Sequence, residues 1–287
     1  MQGMSEPHRL VVFGLGYTGA AIAARAVAEG WHVAGTSRDP AGIRAPAGVQ
    51  VLGFDRAASV LAEATHLVAT APPGEQGDPV LATHRAAIAA ARRLRWAGYL
   101  STTGVYGDRG GGWVNEATPP APGSERSVRR LAAEQGWARF ADRLAVDVFR
   151  VAGIYGPGRS ALEEVRAGTA RRVLRAGHLF GRIHRDDIAR AVVVAAGQGR
   201  PPGLRVLNLV DDEPAESSAV IEEAAHLLGM EPPPAVAYEQ AVPGMNPMTR
   251  SFWAENRKVA NAQTKAMLGI EWLYPSYRQG LRAILGR

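Results

Sequence analysis

The 287-residue sequence predicts an α/β fold, with a doubly wound parallel sheet and a smaller C-terminal lobe. In the first half of the chain, short apolar runs alternate with alanine-rich helical stretches, and a glycine-rich turn joins the first run to the first helix. This rhythm breaks near residue 155. We therefore predict one domain over residues 1–155 and a lobe formed mainly by residues 156–287, with segments that return to the sheet.

The first domain is predicted from apolar runs that are bounded by glycine, proline or charged residues. Strands that are buried on both faces of a parallel sheet are apolar throughout, whereas helices are longer and have few breakers. The predicted strands are residues 9–14, 31–36, 51–54, 66–70, 98–102 and 144–150, and the predicted helices are residues 19–30, 78–95 and 124–141. Their alternation is typical of right-handed βαβ units.

The C-terminal lobe has less regular signals. Its predicted helices are residues 161–167, 187–196, 216–228, 256–268 and 277–285, and one strand is predicted over residues 205–209. A proline-rich stretch follows the helix that ends near residue 228.

The composition excludes several classes of protein. Hydrophobic residues make up 46% and charged residues 21%, which is typical of a globular domain and not of a disordered or fibrous chain. No apolar run reaches the roughly 20 residues of a membrane helix, and no apolar signal core follows Met1. We therefore expect a cytoplasmic protein that does not associate with membranes.

Metal binding is not predicted. The chain has no cysteine, and its seven histidines lack the spacings that are typical of zinc sites. Asp186 and Asp187 are the nearest alternative, but we expect them to cap the helix that follows.

The charge pattern does not favour a nucleic-acid partner. The net charge is +6, and all but two of the 33 basic residues are arginines. These arginines are spread along the chain without interleaved aromatic residues, which is typical of solvated helix faces. We expect a small-molecule partner and no nucleic acid, although the pI of about 10.0 keeps a nucleic-acid binder as the weakest alternative. The sequence leaves the oligomeric state open.

A glycine-rich turn predicts a dinucleotide site. The pattern G-x-G-x-x-G is met by Gly14-Leu15-Gly16-Tyr17-Thr18-Gly19, between the first predicted strand and the first predicted helix. In this Rossmann-type context the first glycine allows the tight turn, the second allows close approach of a pyrophosphate, and the third allows helix–strand packing. The helix N-terminus would supply N–H groups to the phosphates. We therefore assign Tyr17 and Thr18 to the cofactor site with the three glycines.

The end of the second strand favours NADP over NAD. An acidic residue there binds the ribose 2′-hydroxyl of NAD, but this chain has Ser37 and Arg38. A hydroxyl and a guanidinium suit a 2′-phosphate. The alternative is that Arg38 is a surface residue and that Asp39 binds the ribose of NAD. Asp55, at the end of the third strand, is also assigned to the cofactor site.

Six further segments carry a family resemblance. They are Ser-Thr-Thr-Gly-Val-Tyr-Gly at 101–107, Val-Asn-Glu-Ala-Thr-Pro at 114–119, Arg-Val-Ala-Gly-Ile-Tyr-Gly-Pro-Gly at 150–158, Ile-His-Arg-Asp-Asp at 183–187, Asn-Leu-Val at 208–210, and the C-terminal run 256–269. In this order they resemble the extended short-chain dehydrogenase/reductase family, the NAD-dependent epimerase/dehydratase group. The resemblance implies a nicotinamide cofactor and a hydroxyl or carbonyl substrate.

The chain departs from the family at the catalytic pair. Aligning Glu134 with the family's glutamate places Arg126 at the tyrosine and Arg130 at the lysine of Y-x-x-x-K. Phe13 also stands where the extended family has the first glycine of its turn. These departures resemble an atypical branch of the family. Arg126 stays protonated and cannot act as a general acid/base, whereas Arg130 can still bind a ribose hydroxyl or a phosphate.

Thr102 and Tyr106 are the candidate catalytic residues. Thr102 matches the serine/threonine position of the family, and Tyr106 is the tyrosine nearest in sequence to Arg126 at the family's tyrosine position. For Tyr106 the alternative is packing at a strand end, and for Glu116, a third candidate, it is a loop position at the surface. We predict an NAD(P)-dependent oxidoreductase or epimerase/dehydratase-like protein whose substrate is sugar-like or nucleotide-linked. The alternative is a cofactor-binding regulator or scaffold that performs no chemistry.

Overall fold

The computed structural model describes residues 7–286. The strands are β1 (Arg9–Phe13), β2 (His32–Ser37), β3 (Val49–Gly53), β4 (His66–Ala69), β5 (Trp96–Thr102), β6 (Trp113–Val114), β7 (Ala145–Val151), β8 (Gly153–Tyr155), β9 (Arg172–Leu174), β10 (Arg182–His184), β11 (Gly203–Leu209), β12 (Ala235–Ala237) and β13 (Lys258–Val259).

The helices lie between these strands and at the C-terminus. They are α1 (Tyr17–Ala28), α2 (Ala58–Leu61), α3 (Pro79–Ala90), α4 (Glu125–Ala138), α5 (Ala161–Arg166), α6 (Arg185–Gly197), α7 (Ser217–Leu228), α8 (Tyr238–Ala241), α9 (Pro247–Trp253), α10 (Ala262–Leu268) and α11 (Tyr277–Ile284). Short 3₁₀ turns follow β3 at Phe54–Arg56 and β5 at Thr103–Tyr106.

Seven strands form the main sheet, in the order β11-β7-β5-β4-β1-β2-β3. The pairs β1–β2, β2–β3, β1–β4 and β4–β5 are parallel. The chain runs outward from β1 to β3 and then resumes at β4 on the other side of β1, so the strand order reverses between β1 and β4. Ligands of open α/β sheets bind at such a reversal, beyond the carboxyl ends of the strands. The predicted doubly wound fold is confirmed.

The chain divides into two compact units. Unit 1 comprises residues 7–102, 129–150 and 188–207, and unit 2 comprises residues 103–128, 151–187 and 208–286, as far as the structure describes them. Residues 188–207 thus rejoin unit 1 after a long excursion, while residues 103–128 belong to unit 2.

Unit 1 has an apolar core against one face of the sheet. Alternate residues of β1 and β4, namely Val11, Phe13, Leu67 and Ala69, belong to this core because successive side chains of a strand point to opposite faces. Trp137 of α4 lies fully buried in the same cluster. The core therefore holds α4 against the strands that carry the turns described below.

Unit 2 is built from short parallel pairs of strands and from helices. The pairs are β8 with β10, β9 with β12, and β6 with β13. The helix predicted over residues 256–268 begins only at Ala262, because Lys258–Val259 pairs with Trp113–Val114 instead. That pairing joins segments that are far apart in sequence, so no local sequence pattern predicts it.

Within residues 7–286, no helix is both long and apolar enough to cross a membrane.

Candidate functional site

The glycine-rich turn lies between β1 and α1 and has the geometry that close packing requires. Gly14 has φ +100°, a region that residues with a side chain rarely adopt. A Cβ at Gly19 would lie 1.9 Å from the carbonyl oxygen of Gly14, so only glycine lets α1 pass this close to the turn. The roles predicted for Gly14 and Gly19 rest on a tight turn and a close helix, and both are present.

Two threonines hold the turn in place. The Thr70 hydroxyl donates to the carbonyl oxygens of Phe13 (3.0 Å) and Gly14 (2.7 Å), and Thr36 Oγ1 accepts from Gly14 N at 3.1 Å. Thr70 follows β4 and Thr36 lies in β2, so the two strands beside β1 both brace the turn. Thr70 was not among the site residues predicted from the sequence. The feature of the sequence that could have identified Thr70 is a hydroxyl residue directly after a buried apolar strand.

Gly16 faces open space at the start of α1. A Cβ built at Gly16 meets no described atom within 4 Å, and Gly16 has the extended conformation of an N-cap, with no side chain capping the helix. The first turn of α1 contains no acidic residue. Exposed N–H groups and the helix dipole favour an anion here. An uncovered backbone beside a braced helix N-terminus therefore fits the pyrophosphate of a dinucleotide.

The end of β2 lies beside this turn, because Phe13 pairs with Thr36 in the parallel register. Ser37 Oγ accepts from Asp39 N at 3.1 Å and donates to Asp39 O at 3.0 Å, which closes a local turn. Asp39 Oδ1 accepts from Gly42 N at 3.0 Å, and Arg38 is exposed. Asp39, the acid that could bind the ribose of NAD, thus has one carboxylate oxygen hydrogen-bonded within its own loop.

Asp55 and Thr102 also lie at this edge of the sheet. Ser37 pairs with Gly53, so the 3₁₀ turn that carries the exposed Asp55 leaves β3 at the same level. Thr102 is the last residue of β5 and is half-buried. Unit 1 therefore brings Asp55 and Thr102 to the edge that carries the glycine turn.

Arg130 is buried on α4. Its Nη1 donates to the carbonyl oxygen of Leu100 at 2.6 Å and lies 3.4 Å from the Tyr99 hydroxyl. Burial raises the pKa of Tyr99, so this phenol stays protonated. The position that the resemblance assigns to lysine thus holds a permanent positive charge near the end of β5.

One turn further along α4, Glu134 belongs to a buried ionic network. Its carboxylate accepts from Arg150 Nε at 3.2 Å and Nη2 at 2.8 Å, and from Ser101 Oγ at 2.5 Å. Bidentate pairs of this kind have a fixed geometry. The network therefore ties the face of α4 that carries Arg130 to the ends of β5 and β7.

Tyr106 lies in unit 2 and is fully buried. Its hydroxyl donates to Asn208 Oδ1 at 2.8 Å, and Asn208 Nδ2 in turn donates to the Ala260 carbonyl oxygen at 3.0 Å. Glu116 Oε1 accepts from the Thr264 hydroxyl at 2.7 Å within the same unit. A phenol enclosed in this way favours the packing role over the role of a proton donor, and Glu116 is likewise engaged inside unit 2.

The acidic pair after β10 has a structural role for at least one member. Asp187 is fully buried, and its carboxylate accepts from Leu273 N at 2.7 Å and Tyr274 N at 3.0 Å. It thus anchors the segment that precedes α11. The predicted cap differs from the structure, because α6 begins at Arg185 and both acids lie inside its first turn, where Asp186 N donates to His184 Nδ1 at 3.2 Å. Residues 7–286 contain no group of three or more histidine or acidic side chains that could hold a metal ion.

No family model matches the chain. The chain is 27% identical to Protein YeeZ of Escherichia coli (strain K12) over 244 residues, which cover 78% of this chain and 85% of YeeZ.

Solved structures match over almost the whole chain. A functionally unknown conserved protein from Silicibacter pomeroyi DSS is 43% identical and has a TM-score of 0.89, with 97% of this chain and 98% of that one covered. A protein from Methylobacillus flagellatus, provisionally assigned as an NAD-dependent epimerase/dehydratase, is 26% identical with a TM-score of 0.72, and 98% of each chain is covered.

A third structure contains a cofactor. MoeE5 in complex with UDP-glucuronic acid and NAD is 21% identical with a TM-score of 0.77, and 96% of each chain is covered. At this identity the similarity concerns the fold. The chain therefore has the fold of the NAD-dependent epimerase/dehydratase group of the extended short-chain dehydrogenases/reductases, which confirms the resemblance predicted from the sequence motifs.

Proposed function

We propose that this protein is an NADP(H)-dependent oxidoreductase of the atypical extended short-chain dehydrogenase type, acting in the cytoplasm on a small hydroxyl or carbonyl compound and not on nucleic acid. The observation that carries the proposal is the glycine turn of unit 1. Gly19 admits α1 to within contact of the Gly14 carbonyl, and Gly16 leaves the helix N-terminus uncovered. The glycines allow the turn and the helix to pack closely, and the uncovered helix N-terminus suits a pyrophosphate.

The choice of NADP rests on the end of β2. Asp39 Oδ1 accepts from Gly42 N within its own loop, and the exposed Arg38 beside it would pair with a 2′-phosphate. The Ser37 hydroxyl is shared with the Asp39 backbone and adds polarity beside it.

The Arg38→Ala variant is expected to weaken NADPH binding about 10-fold and to leave NADH binding within about 2-fold, because a guanidinium–phosphate contact at an exposed site contributes about 1.5 kcal/mol. The measurement is fluorescence titration of both cofactors. Arg44→Ala, which removes an exposed arginine from the same loop, is the control and should bind NADPH like the parent. Equal affinity of the parent for NADPH and NADH would contradict the choice of NADP.

The bound nicotinamide would supply hydride transfer to or from a substrate carbon. The residues of this chain must then orient the substrate oxygen and deliver its proton. The Thr102 hydroxyl can hydrogen-bond that oxygen, but it is a weak acid. Neither Arg126 nor Arg130 can exchange a proton near neutral pH. Arg130 instead provides a fixed positive charge, so we expect the proton to come from solvent or from the substrate itself.

A non-catalytic cofactor-binding regulator is the second candidate, and one observation favours it. The guanidinium at the lysine position donates to the Leu100 carbonyl oxygen, and the candidate tyrosine, Tyr106, donates its hydroxyl inside unit 2. Neither group replaces the missing acid/base pair.

Turnover separates the two candidates. With a panel of aldehydes, ketones and keto-sugars, the parent should oxidise NADPH, and Thr102→Val should lower kcat at least 10-fold because an oriented hydroxyl is lost. Tyr106→Phe should retain kcat within about 3-fold, since it changes only a buried contact; a loss of the ~10²–10⁴-fold typical of a general acid would instead restore Tyr106 as the proton donor. No NADPH oxidation with any carbonyl, while NADPH still binds, would establish the regulator.

A further inference from the structure

Unit 2 contains a cavity of about 540 Å³ that the functions discussed so far do not use. It lies among β8, β10, α5, α7 and α11. Its polar wall includes Tyr155, Ser160, Glu164, Arg182, Ser217 and Tyr277. A volume of this size is in the range of pockets that enclose small metabolites.

Arg182 gives the cavity a half-buried positive charge. Its Nη1 donates to the carbonyl oxygens of Phe180 at 2.9 Å and Ala215 at 3.0 Å. Burial lowers the pKa of Arg182, yet a guanidinium stays protonated in proteins. The two carbonyl oxygens hold one edge of the guanidinium in place. Arg182 itself lines the cavity.

The nearest acid does not neutralise Arg182 by direct contact. Asp211 is 1% exposed, and neither of its carboxylate oxygens has a hydrogen-bond partner within residues 7–286. Burial raises the pKa of Asp211 well above its ordinary value. Because the Asp211 carboxylate accepts no hydrogen bond from Arg182 in the described part of the chain, the guanidinium keeps hydrogen-bonding capacity for an external anion.

Tyr277 supplies an unsatisfied group in the wall of the cavity. The residue is 1% exposed, and its hydroxyl is buried without a hydrogen-bond partner in the described part of the chain. Buried polar groups in folded proteins are nearly always bonded, so an orphaned hydroxyl at a cavity indicates a missing partner.

The acidic residues of the wall indicate that the ligand is not a bare anion. Glu163 accepts from Ser160 Oγ at 2.5 Å and from Gly158 N at 3.2 Å, so its carboxylate belongs to its own loop. Glu164 also lines the cavity and can accept hydrogen bonds from hydroxyl groups. A ligand that carries both an anionic group and several hydroxyls would satisfy the cation, the acid and the phenol together.

We propose that this cavity binds a small polyhydroxylated organic anion. Arg182 holds its carboxylate or phosphate group, and Tyr277 and Glu164 bind its hydroxyls. The inference concerns unit 2 alone and does not require that unit 1 bind a cofactor.

Isothermal titration calorimetry of the full chain tests this proposal with D-gluconate and D-glucose 6-phosphate, and with D-sorbitol as the uncharged match of gluconate. We expect at least one anion to bind 10-fold more tightly than sorbitol, and the preferred anion distinguishes a carboxylate site from a phosphate site. Tyr277→Phe should weaken that binding about 5-fold, and Arg182→Gln at least 10-fold. Arg182→Lys, which keeps the charge but not the fork, should be intermediate.

Tyr274→Phe is the matched control, because it removes a phenol of unit 2 that does not line the cavity, and it should bind like the parent. Circular dichroism and urea unfolding of every variant show whether the chain is folded, and they keep this test separate from the cofactor proposal. The inference is overturned if neither anion binds more tightly than sorbitol, or if acetate or inorganic phosphate binds as tightly as the organic anions. It is equally overturned if folded Tyr277→Phe keeps the parent's affinity.

Discussion

Replacing Gly16 with alanine is expected to lower NADPH affinity by about 10- to 100-fold while the free energy of unfolding stays within about 0.5 kcal/mol of the parent. Gly16 has φ −72° and ψ −167°, which alanine adopts without strain, and no described atom lies within 4 Å of the added methyl group. The methyl would instead occupy the space through which a pyrophosphate approaches the N-terminus of α1. Titration with NADPH and urea unfolding of the same samples measure the two effects.

Gly19→Ala provides the contrast, because its methyl meets the Gly14 carbonyl and not the ligand space. NADPH affinity should fall, and the free energy of unfolding should fall by about 1–3 kcal/mol, which is the usual cost of overpacking against the backbone. Gly197→Ala at the end of α6 is the control, since its nearest neighbour lies at an ordinary 3.7 Å, and it should change neither quantity. Parent-like NADPH binding by Gly16→Ala would show that the turn does not hold the pyrophosphate.

The sheet could be predicted because each strand is a buried apolar run with a local boundary. Val11, Val12, Leu67 and Val68 are almost wholly buried, and such runs need no alternation to be recognised. The order of the strands then follows from βαβ handedness and from the placement of the glycine turn after β1. Helix ends were less certain: α3 ends at Ala90, although the predicted helix extends to residue 95.

The elements of unit 2 depend on distant partners and were largely missed. β6, β8, β9, β10, β12 and β13 have two or three residues each. A strand this short has no measurable periodicity, and its identity comes from the segment that pairs with it. Lys258 and Val259 were predicted to be helical because their local sequence pattern is helical. In the structure, pairing with Trp113 and Val114 outweighs that pattern and makes them a strand.

The glycine turn could be predicted because its spacing is local, whereas the surroundings of the candidate catalytic residues could not. Gly14 to Gly19 lie in one turn, and backbone conformation explains each glycine. The environment of Tyr106 depends on Asn208, and the cavity that contains Arg182 and Tyr277 is assembled from several distant segments. Burial and hydrogen-bond satisfaction are properties of the folded chain, so the sequence identified a tyrosine near Thr102 without showing that its hydroxyl is enclosed.

Removing the buried acid of α4 is expected to have the largest effect on stability. Glu134→Ala leaves the Arg150 guanidinium, whose side chain is 5% exposed, without its bidentate partner, and it also leaves Ser101 Oγ without its acceptor. Removal of one partner from a buried ion pair costs about 3–5 kcal/mol, since an uncompensated charge remains out of water. NADPH affinity should fall as well, because Arg130 lies four residues before Glu134 on the same face of α4.

The double variant Glu134→Met/Arg150→Met tests whether the loss comes from the stranded charge. Two apolar side chains need no partner, so at least half of the lost free energy of unfolding should return in urea titrations. Glu63→Ala is the matched control: its partner Arg93 lies 2.7 Å away, but both side chains are about half exposed, and loss of such a pair costs less than about 1 kcal/mol. If Glu134→Ala is no more destabilising than Glu63→Ala, the buried network does not hold α4 to the sheet.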